Sequence, residues 1–244
     1  MRGLLLALLL WGLVAGPLIT ATGAQTLPIP SARLQWSGVK PEQLQFMRRV
    51  YDRQMGRANG EPTGDMPAAQ LGAIEGRQRA LKETAQACRT LLKALRSEIA
   101  RRKQAKLAAQ GDRITVISAY RPASRQFANW QKNFPNYYQQ TRAQRSGLPG
   151  GEHGDEAVEY LAQYVGRRLA PPGFSLHNEG LAIDFGGREG ARQLTVTTGT
   201  ANIRHWRASW LFQWLSDNAS DYGFHQNLRI DEPWHWEYRG TAAE

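Results

Sequence analysis

The stretch "SLHNEGLAIDF", Ser175 to Phe185, decides how the second half of this chain folds. From Gly180 onward it alternates, so that Leu181, Ile183 and Phe185 point to one face of a strand and Gly180, Ala182 and Asp184 to the other. A second face made of Gly, Ala and Asp leaves open space beside a carboxylate. A carboxylate taken out of water is costly unless a cation or several donors meet it, so Asp184 requires a partner. His177 stands seven positions earlier, an odd offset that would put it on the opposite face of one continuous strand. The two converge only if the chain turns between them, and Asn178, Glu179 and Gly180 are residues that permit a turn.

A second stretch near the end of the chain, "EPWHWEY" from Glu232 to Tyr238, places Trp234, Trp236 and Tyr238 on one strand face and His235 and Glu237 on the other. Read alone, it is a core strand of three aromatics with a solvated histidine. Read together with the first stretch, His177, Asp184 and His235 make a three-ligand site for one zinc ion, with a fourth position left for water. Pro233 prevents a regular strand between Glu232 and His235, so the Glu232 carboxylate can lean over that water and take its proton. Glu237 shares a face with His235 and is the second candidate for the base. A mixed histidine and carboxylate set also accepts other divalent metals.

Working outward, "DRITVISAYRP" reads as a strand with Ile114, Val116 and Ser118 on one face, ended by Arg121-Pro122. A helix is expected from about Ser124, then the glycine-rich loop "RSGLPGGEHGD", and a helix over 156–169. A strand at "RQLTVTT" and an aromatic helix over 204–219 follow. His153 in the loop is a conceivable extra ligand or rim residue, whereas His205 and His225 sit among aromatics and suit packing. Strands separated by helices at unequal intervals, without repeats, predict an α+β domain over 111–244. Its small antiparallel or mixed sheet would carry flanking helices.

Ahead of it, residues 25–110 read as a helical region. Pro41 opens a helix that runs to Gly56, a loop rich in Gly, Asn and Pro follows, and 68–109 reads as one long helix or two in line. Cys88 is the only cysteine, so no intrachain disulfide forms. It shares a helical stripe with Leu81, Ala85, Leu92, Leu95 and Ile99, the pattern of a small buried residue. Residues 1–24 have the layout of a secretory signal peptide: Arg2, an apolar run from Leu4 to Val14, Pro17, and small residues up to Ala24. The run is short of the ~20 residues that span a bilayer, so no stable membrane insertion is expected once the signal is removed. The protein is expected in the periplasm or outside the cell.

The net charge of +10 would suggest nucleic acid for a cytoplasmic chain, but here the basic residues are scattered along helices. An exported protein meets cell wall and membrane surface instead. The charge therefore implies a solvated surface with a mild attraction to anionic wall polymer, and no nucleic-acid partner.

Three motifs in order, "SAYRP" (Ser118 to Pro122), "SLHNEGLAID" (Ser175 to Asp184) and "EPWHWEY", resemble those of the VanY-type zinc D-alanyl-D-alanine carboxypeptidases, relatives of the VanX dipeptidases. The resemblance covers roughly 113–240. It implies the hedgehog/DD-peptidase fold, one zinc ion on His177, Asp184 and His235, Glu232 as catalytic base, and Arg121 stabilising the oxyanion of a tetrahedral intermediate. It also implies that Gln126 and Ser175 contact substrate, with Ser118, Tyr120 and Trp234 shaping the pocket. The implied substrate is a peptidoglycan stem peptide that loses its C-terminal D-amino acid. Two other readings share these residues: a zinc endopeptidase that opens cross-links or cuts within the stem, and a non-catalytic wall-binding protein with a structural zinc. The long insert between Gln126 and Ser175 and the front helices match nothing in the motif set.

Overall fold

The protein is described by a computed structural model over residues 27–240. The expected signal segment, 1–24, lies outside the described residues. Among those described, no helix is long and apolar enough to cross a membrane.

The alternation read at Gly180 to Phe185 produces the central strand of a five-stranded antiparallel sheet. In chain order its members are β3 (Arg113–Ser118), β4 (Ala182–Glu189), β5 (Arg192–Leu194), β6 (Phe224–Gln226) and β7 (His235–Tyr238). The spatial order is β3-β4-β7-β6, with β5 pairing to the outer half of β4. Ile183 and Phe185 of β4 and Trp236 of β7 face a core they share with Trp234 and with α2 (Lys82–Gln104) and α7 (Trp210–Asn218). Cys88 lies in the same core, where burial pushes its thiol up to about 12. A second, aromatic core joins α1 (Pro41–Met55), α3 (Ala123–Gln140) and α5 (Asp155–Gly166), centred on Phe46, Tyr51, Trp130 and Phe134. The short helices α4 (Arg142–Ser146) and α6 (Thr200–Arg207) complete the fold. The α+β class with a small antiparallel sheet and flanking helices is thus as expected.

Several boundaries differ, each for a local reason. The stretch read as helix from residue 68 instead forms a hairpin, β1 (Leu71–Ala73) and β2 (Arg79–Leu81), before α2 begins. Gly72 passes so close to α2 that a Cβ there would sit 3.0 Å from that of Ala85, and Gly76 turns the hairpin with a φ of +52°. The expected 204–219 helix breaks at Ser209, whose side chain accepts a hydrogen bond from Phe212 N and caps α7. "RQLTVTT" keeps only three strand residues, because the Asn202 amide takes the backbone of Thr195 and Thr197. In β3 the register shifts between Val116 and Ser118, so Ser118 leaves the face of Ile114 and Val116.

Candidate metal centre

Asp184 occupies the middle of the sheet, with Ser118 of β3 and His235 of β7 as its cross-strand partners. Directly opposed residues on one face lie close enough for their side chains to meet, so register alone joins Asp184 to His235. Nδ1 of His235 is 2.9 Å from Asp184 Oδ1. His177 arrives from outside the sheet on a tight turn. Asn178 N donates to Ser175 O at 2.7 Å, Gly180 N to His177 O at 3.2 Å and Leu181 N to Leu176 O at 2.9 Å. Gly180 closes the turn at a φ of +66°, and a Cβ there would lie 2.6 Å from the backbone nitrogen of Leu81. The turn cancels the odd offset and puts Nε2 of His177 3.2 Å from Asp184 Oδ2. One ligand atom from each of the three residues falls within 4.8 Å of the others, and all three side chains are buried.

The remaining nitrogens fit this set to a metal ion. Nδ1 of His177 donates to Ala119 O at 2.7 Å, which leaves the Nε2 lone pair facing Asp184. Nε2 of His235 faces Glu237 Oε1 at 3.7 Å, within ion-pair but beyond hydrogen-bond reach, and leaves Nδ1 as the donor atom toward Asp184. Glu237 is itself held by Asn227 Nδ2 at 2.7 Å and Arg239 at 3.0 Å. Ligating histidines commonly carry such an outer partner, which fixes tautomer and ring orientation.

The three groups titrate as a carboxylate held between two imidazoles. Burial alone would raise the Asp184 pKa, yet His177 and His235 outweigh it and hold the carboxyl well below the usual range. Burial lowers His177. It would lower His235 too, but the hydrogen bond to Asp184 and the nearby Glu237 carboxylate raise that imidazole to about 9. Positive charge beside Asp184 is therefore favoured.

Glu232 lies just before β7, where its carbonyl accepts from His235 N at 3.0 Å and its side chain is half-buried. Burial, and then the charge of Asp184, raise its pKa against the opposing pull of His235 and Arg121. A carboxylate shifted toward neutrality is suited to taking and returning a proton. Arg121 is anchored through its backbone, which donates to His177 O at 2.9 Å, and its guanidinium lies 4.0 Å from Asp184 Oδ2. Burial lowers its pKa, opposed by Asp184 and Glu232.

His177, Asp184, His235, Glu232 and Arg121 all open onto one cleft of about 720 Å³. The other expected pocket residues line it too, and the polar groups of Gln126, Ser175 and Tyr120 are already engaged. Gln126 is 1% exposed; its Oε1 accepts from Arg121 at 2.9 Å and its Nε2 donates to Ala170 O at 2.6 Å. Ser175 Oγ accepts from His177 N at 3.3 Å, and Tyr120 OH accepts from Met66 N at 2.6 Å. Trp234 belongs mainly to the sheet core, and Ser118 is half-buried at the cleft floor. His153 is far from this group in the fold, in the helical core, with Nε2 2.8 Å from Tyr138 OH and its ring beside Phe46. His205 and His225 are half-buried on α6 and β6.

Two features went unread in the sequence. Asn178, treated only as a turn former, is fully buried. Its Oδ1 accepts from Gly173 N at 3.0 Å and Ser175 N at 3.2 Å, while Nδ2 donates to Arg121 O at 2.7 Å. One amide thus ties the His177 turn to Arg121. The second feature is the segment 63–81, which touches the site repeatedly and carries no motif.

A family model described as "VanY: D-alanyl-D-alanine carboxypeptidase" matches residues 89–241, more than half of the chain. No curated protein matches it. Solved structures similar to it include VanYB in complex with D-alanine-D-alanine, at 19% identity over 74% of this chain and 86% of that one, with a TM-score of 0.44. A vancomycin-resistance D,D-pentapeptidase VanY in complex with Zn(II) aligns at 19% identity over 74% and 87%, with a TM-score of 0.42. The LdcB LD-carboxypeptidase aligns at 24% identity over 75% and 72%, with a TM-score of 0.43.

Proposed function

This chain belongs to the VanY family of D-alanyl-D-alanine carboxypeptidases, and on that premise we propose that it removes the C-terminal D-amino acid from peptidoglycan stem peptides outside the cytoplasm. The observation that carries the proposal is the convergence of His177, Asp184 and His235 within 4.8 Å, in one cleft with Glu232 and Arg121. The three ligands would hold one zinc ion, the metal bound in a VanY structure similar to this chain. Zinc supplies an electrophilic centre that acidifies water and polarises a carbonyl.

The chain's own groups do the rest. Glu232 takes the proton of the attacking water and delivers it to the leaving amine, a transfer that its raised pKa favours. Arg121, fixed by Gln126 and by the His177 backbone, presents a guanidinium to the oxygen that gains charge as the carbonyl becomes tetrahedral. Burial of the ligands keeps bulk water from screening these charges.

The test is to incubate the purified protein with synthetic pentapeptide and tetrapeptide stems, with and without a chelator, and to identify products by mass. Chelator-sensitive release of a single terminal D-alanine is expected, and the stem that is cut identifies the bond. Release of linked muropeptides from intact sacculi, without free amino acid, would replace this reading by the endopeptidase one. Tight wall binding with no turnover and a fourth protein ligand would replace both with a structural site.

A further inference from the structure

The helical insert between Gln126 and Ser175 carries tyrosines that the proposed reaction does not use. On α5, Tyr160 and Tyr164 stand four residues apart and Arg168 follows at the same spacing just beyond the helix end, so the three lie on one side of it. The two rings are near parallel, at 24°, with centroids 6.5 Å apart, a separation too wide for their faces to cover each other. The Arg168 guanidinium lies over the Tyr164 ring at 3.6 Å, and its Nη1 donates to Tyr164 O at 2.8 Å. Tyr137, from α3, meets Tyr164 edge-on at 6.0 Å. At 1.5 Å per residue the ladder from Tyr160 to Arg168 runs about 12 Å, the reach of a disaccharide.

Packing accounts for only part of it. Tyr137 and Tyr164 pack partly against the aromatic core, whereas Tyr160 belongs to neither core, and all three rings are half-exposed. Both ends of the ladder open onto hollows. Arg168 lines the cleft that holds His177 and Glu232, and Tyr160 lines an open groove of about 440 Å³ with Leu148, Glu156, Glu159 and Gln163. Burial raises the Tyr137 hydroxyl, and the charges of Arg168, Tyr164 and Glu232 reach it too, as expected beside the cleft. Tyr164 OH donates to the exposed Gln140 Oε1 at 3.2 Å, so amides and carboxylates border the rings. The ladder therefore continues the cleft along the surface of the insert.

A face of this kind suits a sugar. The C–H groups on one side of a pyranose meet the negative face of an aromatic ring, while its hydroxyl and acetamido groups bond to amides, carboxylates and guanidinium groups at the edge. A stem peptide held in the cleft brings with it the sugar that bears it, and that supplies the occupant. We propose that Tyr137, Tyr160, Tyr164 and Arg168 form a glycan-binding track, which takes the N-acetylated disaccharide of peptidoglycan while its stem peptide lies in the cleft. The inference rests on the proposed function for the peptide half of this ligand.

The test is calorimetric titration of the zinc-loaded protein carrying Glu232→Gln, which stops turnover. The ligands are a free pentapeptide stem, the same stem on its disaccharide, and a tetramer of N-acetylglucosamine without peptide. The disaccharide is expected to strengthen binding of the stem about tenfold, the size of one or two aromatic contacts. Adding Tyr160→Ala, a change outside both cores, should cut that advantage to about twofold, and Tyr160→Phe, which keeps the ring, should retain most of it. The ratio of the two affinities is the readout, because damage to the cleft weakens both stems together. If the free stem does not bind, the sugar tetramer decides: it should bind, and about fivefold more weakly once Tyr160→Ala is added.

An advantage that is absent from the start, or that survives Tyr160→Ala undiminished, would overturn the track and leave the ladder to a protein partner, since Tyr and Arg are also enriched at protein interfaces. Release of D-alanine from the free stem by the unsubstituted protein would, in that case, leave the proposed function standing. Sugar-dependent binding that falls with Tyr160→Ala, with no hydrolysis of either stem by the unsubstituted protein, would overturn the proposed function alone.

Discussion

Replacing Asn178 by Ala removes one small amide that serves three backbone groups, one buried and two part-buried. Gly173 N and Ser175 N lose their acceptor and Arg121 O loses its donor. An unsatisfied buried group costs about 1–3 kcal/mol. Water reaching part of the vacated space from the neighbouring cleft lowers the sum of the three losses, so about 3 kcal/mol is expected. For a chain of this size that corresponds to a fall of about 6–12 °C in the unfolding midpoint of the metal-free protein. The same change loosens the turn that carries His177 and the strand end that carries Arg121. Zinc affinity should therefore fall at least about tenfold, as for loss of a group that orients a ligand. Asn178→Asp keeps the acceptor for the two amides but sets an oxygen against Arg121 O, so it should spare more of the metal affinity than Ala does. Thermal unfolding followed by far-UV circular dichroism, and competition with a chromophoric chelator, measure the two effects. A midpoint shift under about 2 °C for the Ala variant, below 1 kcal/mol on the same scale, would refute the claim that this amide holds the turn.

Glu232→Gln should reduce hydrolysis about 10²–10⁴-fold while bound zinc stays at one per chain, and loss of the metal instead would make Glu232 a ligand. Glu237→Ala frees Nε2 of His235 from its outer partner and should weaken zinc binding about 10–100-fold, measured by the same chelator competition; unchanged affinity would remove Glu237 from the centre. Gly180→Ala forces a side chain into a φ of +66° and against Leu81 N, so the metal site should fail to assemble even at saturating zinc, as absorption of a cobalt-substituted form would report. His235 is held at about 9 against ~6.5 in the unfolded chain, so its contribution to the metal-free fold is fully present below pH ~6.5 and disappears as pH rises through about 9. Asp184 is held low, so its contribution is present above pH ~3.9 and disappears in acid. Zinc must displace the His235 proton, and calorimetry in buffers of different ionisation enthalpy should show about one proton released at pH 7 and none well above pH 9.

The convergence of His177, Asp184 and His235 was legible because two local alternations carried it. Gly180 to Phe185 and Trp234 to Tyr238 each send apolar side chains to one face and ligands to the other, and the sheet keeps that parity. The turn at Asn178 to Gly180 was legible for the same reason, since an odd offset had to be reversed somewhere. What escaped notice depends on partners distant in sequence. Gly72 and Gly76 lie among helix formers, and only the approach of α2 and the hairpin turn explain them. The bulge at Ile117 is invisible in "TVIS", because the residue that makes room for it is Gly186, where a Cβ would meet the Ile117 side chain at 2.4 Å. Gln126 was legible as a cleft residue, yet its two amide bonds to Arg121 and Ala170 make it a positioning group. His153 read as an extra ligand or rim residue from its loop, whereas Phe46 and Tyr138 hold it against the helical core.

The segment ahead of the family match bears on the same centre. Thr63 N donates to Gly173 O at 2.8 Å, Asp65 accepts from Ser124 N and Oγ at the start of α3, and Met66 N donates to Tyr120 OH. Farther along, Arg79 O accepts from Tyr120 N at 2.7 Å, Leu81 N donates to Gly180 O at 3.1 Å, and Glu75 Oε1 accepts from Val116 N at 2.6 Å. These contacts reach the turn that carries His177 and the segment that carries Arg121, and several satisfy backbone groups that would otherwise be buried without partners. Tyr238 of β7 completes the set by donating to Glu83 at the start of α2. A segment that brought only stability would have no reason to end its hydrogen bonds on Tyr120, Gly173 and Gly180, the residues that flank Arg121 and the His177 turn. Its placement makes it part of the framework that holds His177 and Arg121 in place beside Asp184 and His235, which is why the site depends on residues that contain none of its chemistry.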